Sequence, residues 1–147
     1  TDVLAAWQAM EQSQRAAARR LAPVAHAMTD VTGFGLAGHL WNICRASGTG
    51  ADVVLDDVPF LPGAEGLAAR GIRSTLHAQN VAALGGVAHV PDTARGALMF
   101  DPQTAGGLLA AVPDAAAGAL LADLSGEGVT AMRIGHVTDK AGEIRFT

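Results

Sequence analysis

His26-Ala-Met-Thr-Asp-Val-Thr-Gly-Phe-Gly-Leu-Ala-Gly-His39 gathers polar, glycine and helix-forming signals into one short stretch of a 147-residue chain. An extended run from Val24 to Met28 meets Thr29, Asp30 and Thr32, and Gly33 and Gly35 then open an apolar helical pattern that lasts to about Arg45. Such a junction aims backbone N–H groups and a carboxylate at one spot, which suits a phosphate, a divalent cation or both. The same residues also make a helix cap, with Asp30 or Thr32 at the N-cap and no ligand required.

Gly33-Phe-Gly35-Leu-Ala-Gly38 matches the G-x-G-x-x-G dinucleotide fingerprint, and Asp56 or Asp57 follows at about the expected spacing. The approach to the first glycine weighs against it. A buried parallel strand would be apolar up to the turn, whereas Thr-Asp-Val-Thr stands there, and its carboxylate would repel a pyrophosphate unless a metal lay between. A dinucleotide module is the minority reading.

Outward from this stretch, Val3 to Leu21 reads as one helix, with Asp2 as N-cap, Trp7 and Met10 turned to the core and Pro23 as the stop. Downstream, the helix ends at Gly48, Ala51 to Leu55 is a strand, and Pro62 to Ala69 is a short helix. Ile72 to Thr93 lacks periodicity and reads as a long functional or wrapping loop with a helical turn. His77 and His89 lie within it without metal-site spacing, in surface or loop roles.

Ala97 to Phe100 and Leu108 to Val112 read as strands joined by Asp101-Pro-Gln-Thr-Ala-Gly-Gly107, a loop that sequence physics alone does not raise above a tight turn. Asp114 to Leu124 is a capped helix. Thr130 to Val137 and Glu143 to Phe146, across Asp139-Lys-Ala-Gly142, give a hairpin signal. Helices interspersed with strands predict an α+β fold, three-layer α/β/α, with a mixed, mostly antiparallel sheet in a single domain.

Composition narrows function. A net charge of -4 offers no basic field for nucleic acid. No run approaches a membrane span, and a solitary Cys44 gives neither a disulfide nor a thiolate cluster; a cytoplasmic protein is expected. Cys44 reads as a small buried hydrophobe on its helix. Lys140 is the only lysine and sits in a turn, so chemistry needing a buried lysine must draw on another chain segment. The abrupt start in a helix suggests a piece of a longer polypeptide.

The stretch from His26 to Leu40, the run Phe100-Asp-Pro-Gln-Thr-Ala-Gly-Gly-Leu-Leu109 and the closing Ile134-Gly-His-Val137 together resemble the C-terminal half of the selenide, water dikinases. The resemblance covers nearly the whole chain. It implies the fold shared by C-terminal domains of the aminoimidazole ribonucleotide synthetase superfamily, and a parent that turns ATP, selenide and water into selenophosphate, orthophosphate and AMP with Mg²⁺ and a monovalent cation such as K⁺.

By the same resemblance, Asp30 is a Mg²⁺ ligand completed by aspartates of the N-terminal half, and Thr29, Thr32, Gly33 and Gly35 shape the wall beside the phosphates. Asp101, Gln103 and Thr104 are placed near the same cleft; Ala105 departs from the family's usual serine. The reactive cysteine or selenocysteine, its lysine and the glycine-rich nucleotide loop belong to the N-terminal half, so no catalytic residue is expected here. The segment alone is expected to be inactive, and the parent is expected to be a homodimer. Thiamine monophosphate kinase and the hydrogenase maturation proteins use related domains and form the second reading.

Overall fold

The computed structural model describes residues 2–147. Helices α1 (Asp2–Glu11) and α2 (Arg15–Leu21) precede strand β1 (Ala27–Asp30), helix α3 (Gly35–Ser47) and strand β2 (Gly50–Val53). A 3-10 turn at Leu55–Asp57 leads to α4 (Ala64–Ala69), α5 (His77–Ala83), β3 (Ala88–His89) and α6 (Ala94–Leu98). The chain closes with β4 (Leu108–Ala111), α7 (Asp114–Gly126), β5 (Gly135–Thr138) and β6 (Ile144–Phe146).

The fold is α+β with two sheets. β1 and β4 form an antiparallel ribbon in which Ala27 faces Ala111 and Asp30 faces Leu108. The second sheet has the order β3-β6-β2-β5: β2 runs antiparallel to β5 and parallel to β6, and β6 runs parallel to β3. The antiparallel ladders carry four residue pairs each and the parallel ones three and two. Helices α2 and α7 pack together, α2 also meets β4, and α3 touches β1 as well as β2 and β6.

The core lies where α3 crosses the larger sheet. Strand alternation turns Ala51, Val53, Ile144 and Phe146 to one face, where they bury against Ala37, Leu40 and Cys44. Those helix positions recur at the spacing that puts side chains on one face. Met99 and Phe100 complete the core, with Met99 O accepting the Ala37 N–H of α3. The opposite face of the sheet carries a polar row, His89, Arg145, Asp52 and His136 in register. Gly48 ends α3 in the left-handed conformation expected of it, at φ 65°.

Several expectations are corrected. The first helix is two, broken at Gln12–Gln14, and the apolar side of α1 stays uncovered, with Trp7 60% exposed. Ala97–Phe100 is not a strand: Thr93 accepts a bond from the Gly96 N–H at 3.0 Å, a side-chain N-cap, residues Ala94–Leu98 are helical, and Met99 and Phe100 form the turn after them. The loop 72–93 contains α5 and β3. β5 and β6 do not pair as a hairpin, because β2 lies between them and takes one on each side.

Candidate functional site

Asp30 is the last residue of β1, and the chain turns there because the next backbone groups bond across to the Asp101–Gly107 loop. The Val31 N–H donates to Gly107 O at 2.9 Å, and the Gln103 N–H donates to Thr32 O at 3.0 Å. A Cβ on Gly106 would collide with Val31 O, so this close approach needs glycine. The two sequence motifs, some seventy residues apart, thereby form a single surface.

Within β1, alternation separates Thr29 from Asp30. Thr29 is half-buried and lines an open groove of about 280 Å³ with His39, Asn42 and Ile43. Asp30 is exposed, and among the described residues its carboxylate meets no donor and no cation. Neither Asp30 nor Thr32 caps α3 by side chain: the N-cap position is Phe34, and the Gly35 N–H donates to the backbone oxygen of Thr32 at 3.1 Å.

The glycines answer to packing inside the chain. Gly35 sits at φ 70°, and a Cβ there would lie 2.7 Å from Met99 O. A Cβ on Gly38 would run into the Phe34 side chain, while Gly33 has open space around it. The space at Gly35, the glycine that would admit a pyrophosphate in a dinucleotide fingerprint, is thus taken by the chain's own backbone, which weighs against that reading. Its context is absent too: β1 and β2, on either side of α3, belong to different sheets, and the exposed Asp56 faces Arg95 at 3.7 Å.

Two residues that composition and spacing did not single out hold the surface together. His39 is 9% exposed on α3, and its Nε2 accepts the Thr32 N–H at 3.0 Å. Because a main-chain N–H can only donate, the neutral ring carries its proton on Nδ1. Asn80, 7% exposed on α5, donates through Nδ2 to Gly33 O and to Phe100 O, both at 2.9 Å. In the sequence His39 is a lone polar side chain amid apolar neighbours, and Asn80 is one polar residue among others, after His77 and Gln79.

Asp101 is half-buried, and burial pushes its carboxyl above the ordinary carboxylate value against an opposing bond from the Gln103 amide at 3.1 Å. His77 is half-buried at the start of α5. Its ring stands edge-on to Phe100 at 6.0 Å, burial and Arg73 push its imidazole below the ordinary value, and Asp101 pulls it back. His77 Nδ1 and Ser74 Oγ are buried without a partner among the described residues. Thr104 is exposed at the tip of the loop, and Ala105 beside it takes φ 52°.

Among the described residues no three His, Cys, Asp or Glu side chains gather as a metal site. Asp30 nevertheless fits one ligand of a Mg²⁺ ion, which takes one or two carboxylates and fills its shell with water and phosphate oxygens.

The model of the family "AIR synthase related protein, C-terminal domain" matches residues 1–146. The chain belongs to that family. Among its relatives, the selenide, water dikinase of Cronobacter sakazakii (strain ATCC BAA-894) is 42% identical over 117 residues, 79% of this chain and 33% of the relative. That of Burkholderia pseudomallei (strain K96243) is 39% identical over 126 residues, 83% of this chain and 36% of the relative. The family member described here thus spans about a third of the length of these relatives.

The fold recurs in thiamine-monophosphate kinase from Stenotrophomonas maltophilia K279a, with a TM-score of 0.56 at 22% identity over 84% of this chain and 32% of that one. It recurs also in the hydrogenase maturation protein HypE in complex with ATP, with a TM-score of 0.51 at 25% identity over 83% of this chain and 32% of that one.

Proposed function

We propose that this chain is the C-terminal domain of a selenide, water dikinase, whose parent makes selenophosphate, orthophosphate and AMP from ATP, selenide and water. The observation that carries the reading is the joining of the Asp30–Gly35 and Asp101–Gly107 segments, the motifs most like those of the dikinases, through Gln103 N–H to Thr32 O. The identity to dikinases over about four-fifths of the chain supports it.

In this reading the joined loops form one wall of a nucleotide cleft, and the N-terminal half supplies the other wall, the reactive chalcogen residue and its lysine. Asp30 would hold Mg²⁺ together with carboxylates of that half, and the ion, when bound, neutralises charge on phosphate oxygens. Thr29 flanks this wall through the groove against α3. Thr32, Gly33 and Gly35 set the path of the backbone beside the phosphates, while Asp101, Gln103 and Thr104 border the opposite edge. K⁺ assists, and the parent dimerises through its N-terminal halves. The domain works by positioning and electrostatics, the two means on which phosphoryl transfer chiefly depends.

The test is phosphorus NMR of the parent chain with ATP, Mg²⁺ and selenide under anaerobic conditions. Native parent should yield selenophosphate and AMP, and Asp30→Asn should lose on the order of a hundred-fold or more of that turnover. Because Asp30 is exposed, its replacement should shift stability by no more than about 0.5 kcal/mol. Turnover by the isolated segment would overturn its assigned dependence on the other half. A native parent that makes no selenophosphate would move the function to another phosphoryl-transfer member of the superfamily.

A further inference from the structure

The amide of Asn80 joins two backbone segments that are far apart in sequence. Its acceptors, Gly33 O and Phe100 O, lie 47 and 20 residues away, each at 2.9 Å. Gly33 follows Thr32 in the Asp30 turn, and Phe100 precedes Asp101 in the second loop. Because a peptide unit is planar and trans, fixing a carbonyl fixes the direction of the N–H that follows it, here those of Phe34 and Asp101.

We infer that Asn80 is a positioning residue for the nucleotide cleft, holding the two loops in one register so that a phosphate-bearing ligand engaging one engages the other. The inference rests on the nucleotide-cleft reading proposed above.

The chemistry of the site asks for an amide in particular. Two carbonyl oxygens need two N–H donors from one atom, which a primary amide has; a hydroxyl has one and a carboxylate has none. The bond to Phe100 O is buried, so nothing from solvent replaces it when the side chain is removed. His77, one helical turn earlier, holds the ring of the same Phe100 edge-on at 6.0 Å. Helix α5 thus grips the second loop by side chain and backbone but reaches the first through Asn80. A displacement of the loops by about 1 Å is enough to lower a rate on the order of a hundred-fold.

A role in stability alone has to be separated from positioning, and Leu84 serves as the control. It lies just past α5, is buried in the core and touches neither loop carbonyl by hydrogen bond. The experiment compares native parent chain with Asn80→Ala, Asn80→Asp and Leu84→Ala, reading thermal midpoint, Mg·ATP dissociation constant, and amide hydrogen exchange over residues 31–36 and 99–104.

Leu84→Ala should lower the midpoint yet leave the dissociation constant within about two-fold, since it removes packing alone. Asn80→Ala should weaken Mg·ATP binding about ten-fold and speed exchange in both segments, and Asn80→Asp, which sets a carboxylate against two carbonyls, should do so more strongly. If native parent binds Mg·ATP but folded Asn80→Ala binds it equally well, or exchange quickens in only one segment, the positioning role is overturned and the cleft reading stands. Native parent that does not bind Mg·ATP would bring down the cleft reading and the role of Asn80 with it.

Discussion

The two sheets divide the labour of this chain. The four-stranded sheet buries one face almost completely, with Ile144 at 0% and Val53 and Phe146 at 3% exposure. The β1–β4 ribbon has no fully buried position on either strand. Two-stranded ribbons are marginal alone; this one leans on α3 and α2, and the turn that leaves it at Val31–Gly33 is held by point contacts from α3, α5 and the 101–107 loop. The lesson is that the candidate site sits on the thinner element, where single hydrogen bonds decide geometry, while stability is concentrated in the larger sheet.

Ile144→Ala tests the stable side. It should cost about 2–5 kcal/mol in denaturant unfolding, the range for a fully buried aliphatic truncation, and leave Mg·ATP affinity of the folded parent unchanged. A large affinity loss would mean that the two sheets are energetically one.

His39→Leu tests the ribbon. It keeps an apolar side chain in the buried space but leaves the Thr32 N–H without its acceptor, at a cost of about 1–2 kcal/mol. Hydrogen exchange should quicken first at Val31 to Gly33, with β2 and β6 unaffected. Uniform acceleration across both sheets would erase the distinction drawn here.

The smallest effect is pH-dependent and belongs to Asp101. Burial raises its folded pKa above the ordinary 3.8, so the folded chain holds the proton more tightly than the unfolded chain does. Stability from this group therefore falls as pH rises from that ordinary value through the raised one, and the penalty is absent below both. Asp101→Asn should flatten the thermal midpoint over that acidic window. An unchanged profile would show that the Gln103 amide already offsets the burial.

Much of this was legible in the sequence, and the failures have physical causes. The helix from Gly35 was legible because its apolar positions recur at helical spacing and Gly48 marks the end. The run Ala97 to Phe100 is short and apolar and fits a strand or a buried helix end equally well; the Thr93 cap three residues before Gly96 decides for the helix. The turn Asp139–Gly142 does carry hairpin chemistry, but pairing depends on which edge of β2 is free, a non-local fact.

The Asp30 and Asp101 motifs stood out as polar residues and glycines set between apolar runs, and the resemblance to the dikinases placed them together. Asn80 and His39 did not stand out, because their partners are backbone atoms, which leave no trace in residue identity.

Cys44 is 1% exposed on the buried face of α3, and burial pushes its thiol above the ordinary value. A thiol-labelling reagent needs both access and the thiolate, and the native core denies it both. The one sulfhydryl of the chain is therefore a built-in clock: under native conditions its alkylation can proceed only as fast as α3 lifts from β2 and β6, so the rate of labelling reports how often the larger sheet loses its helix.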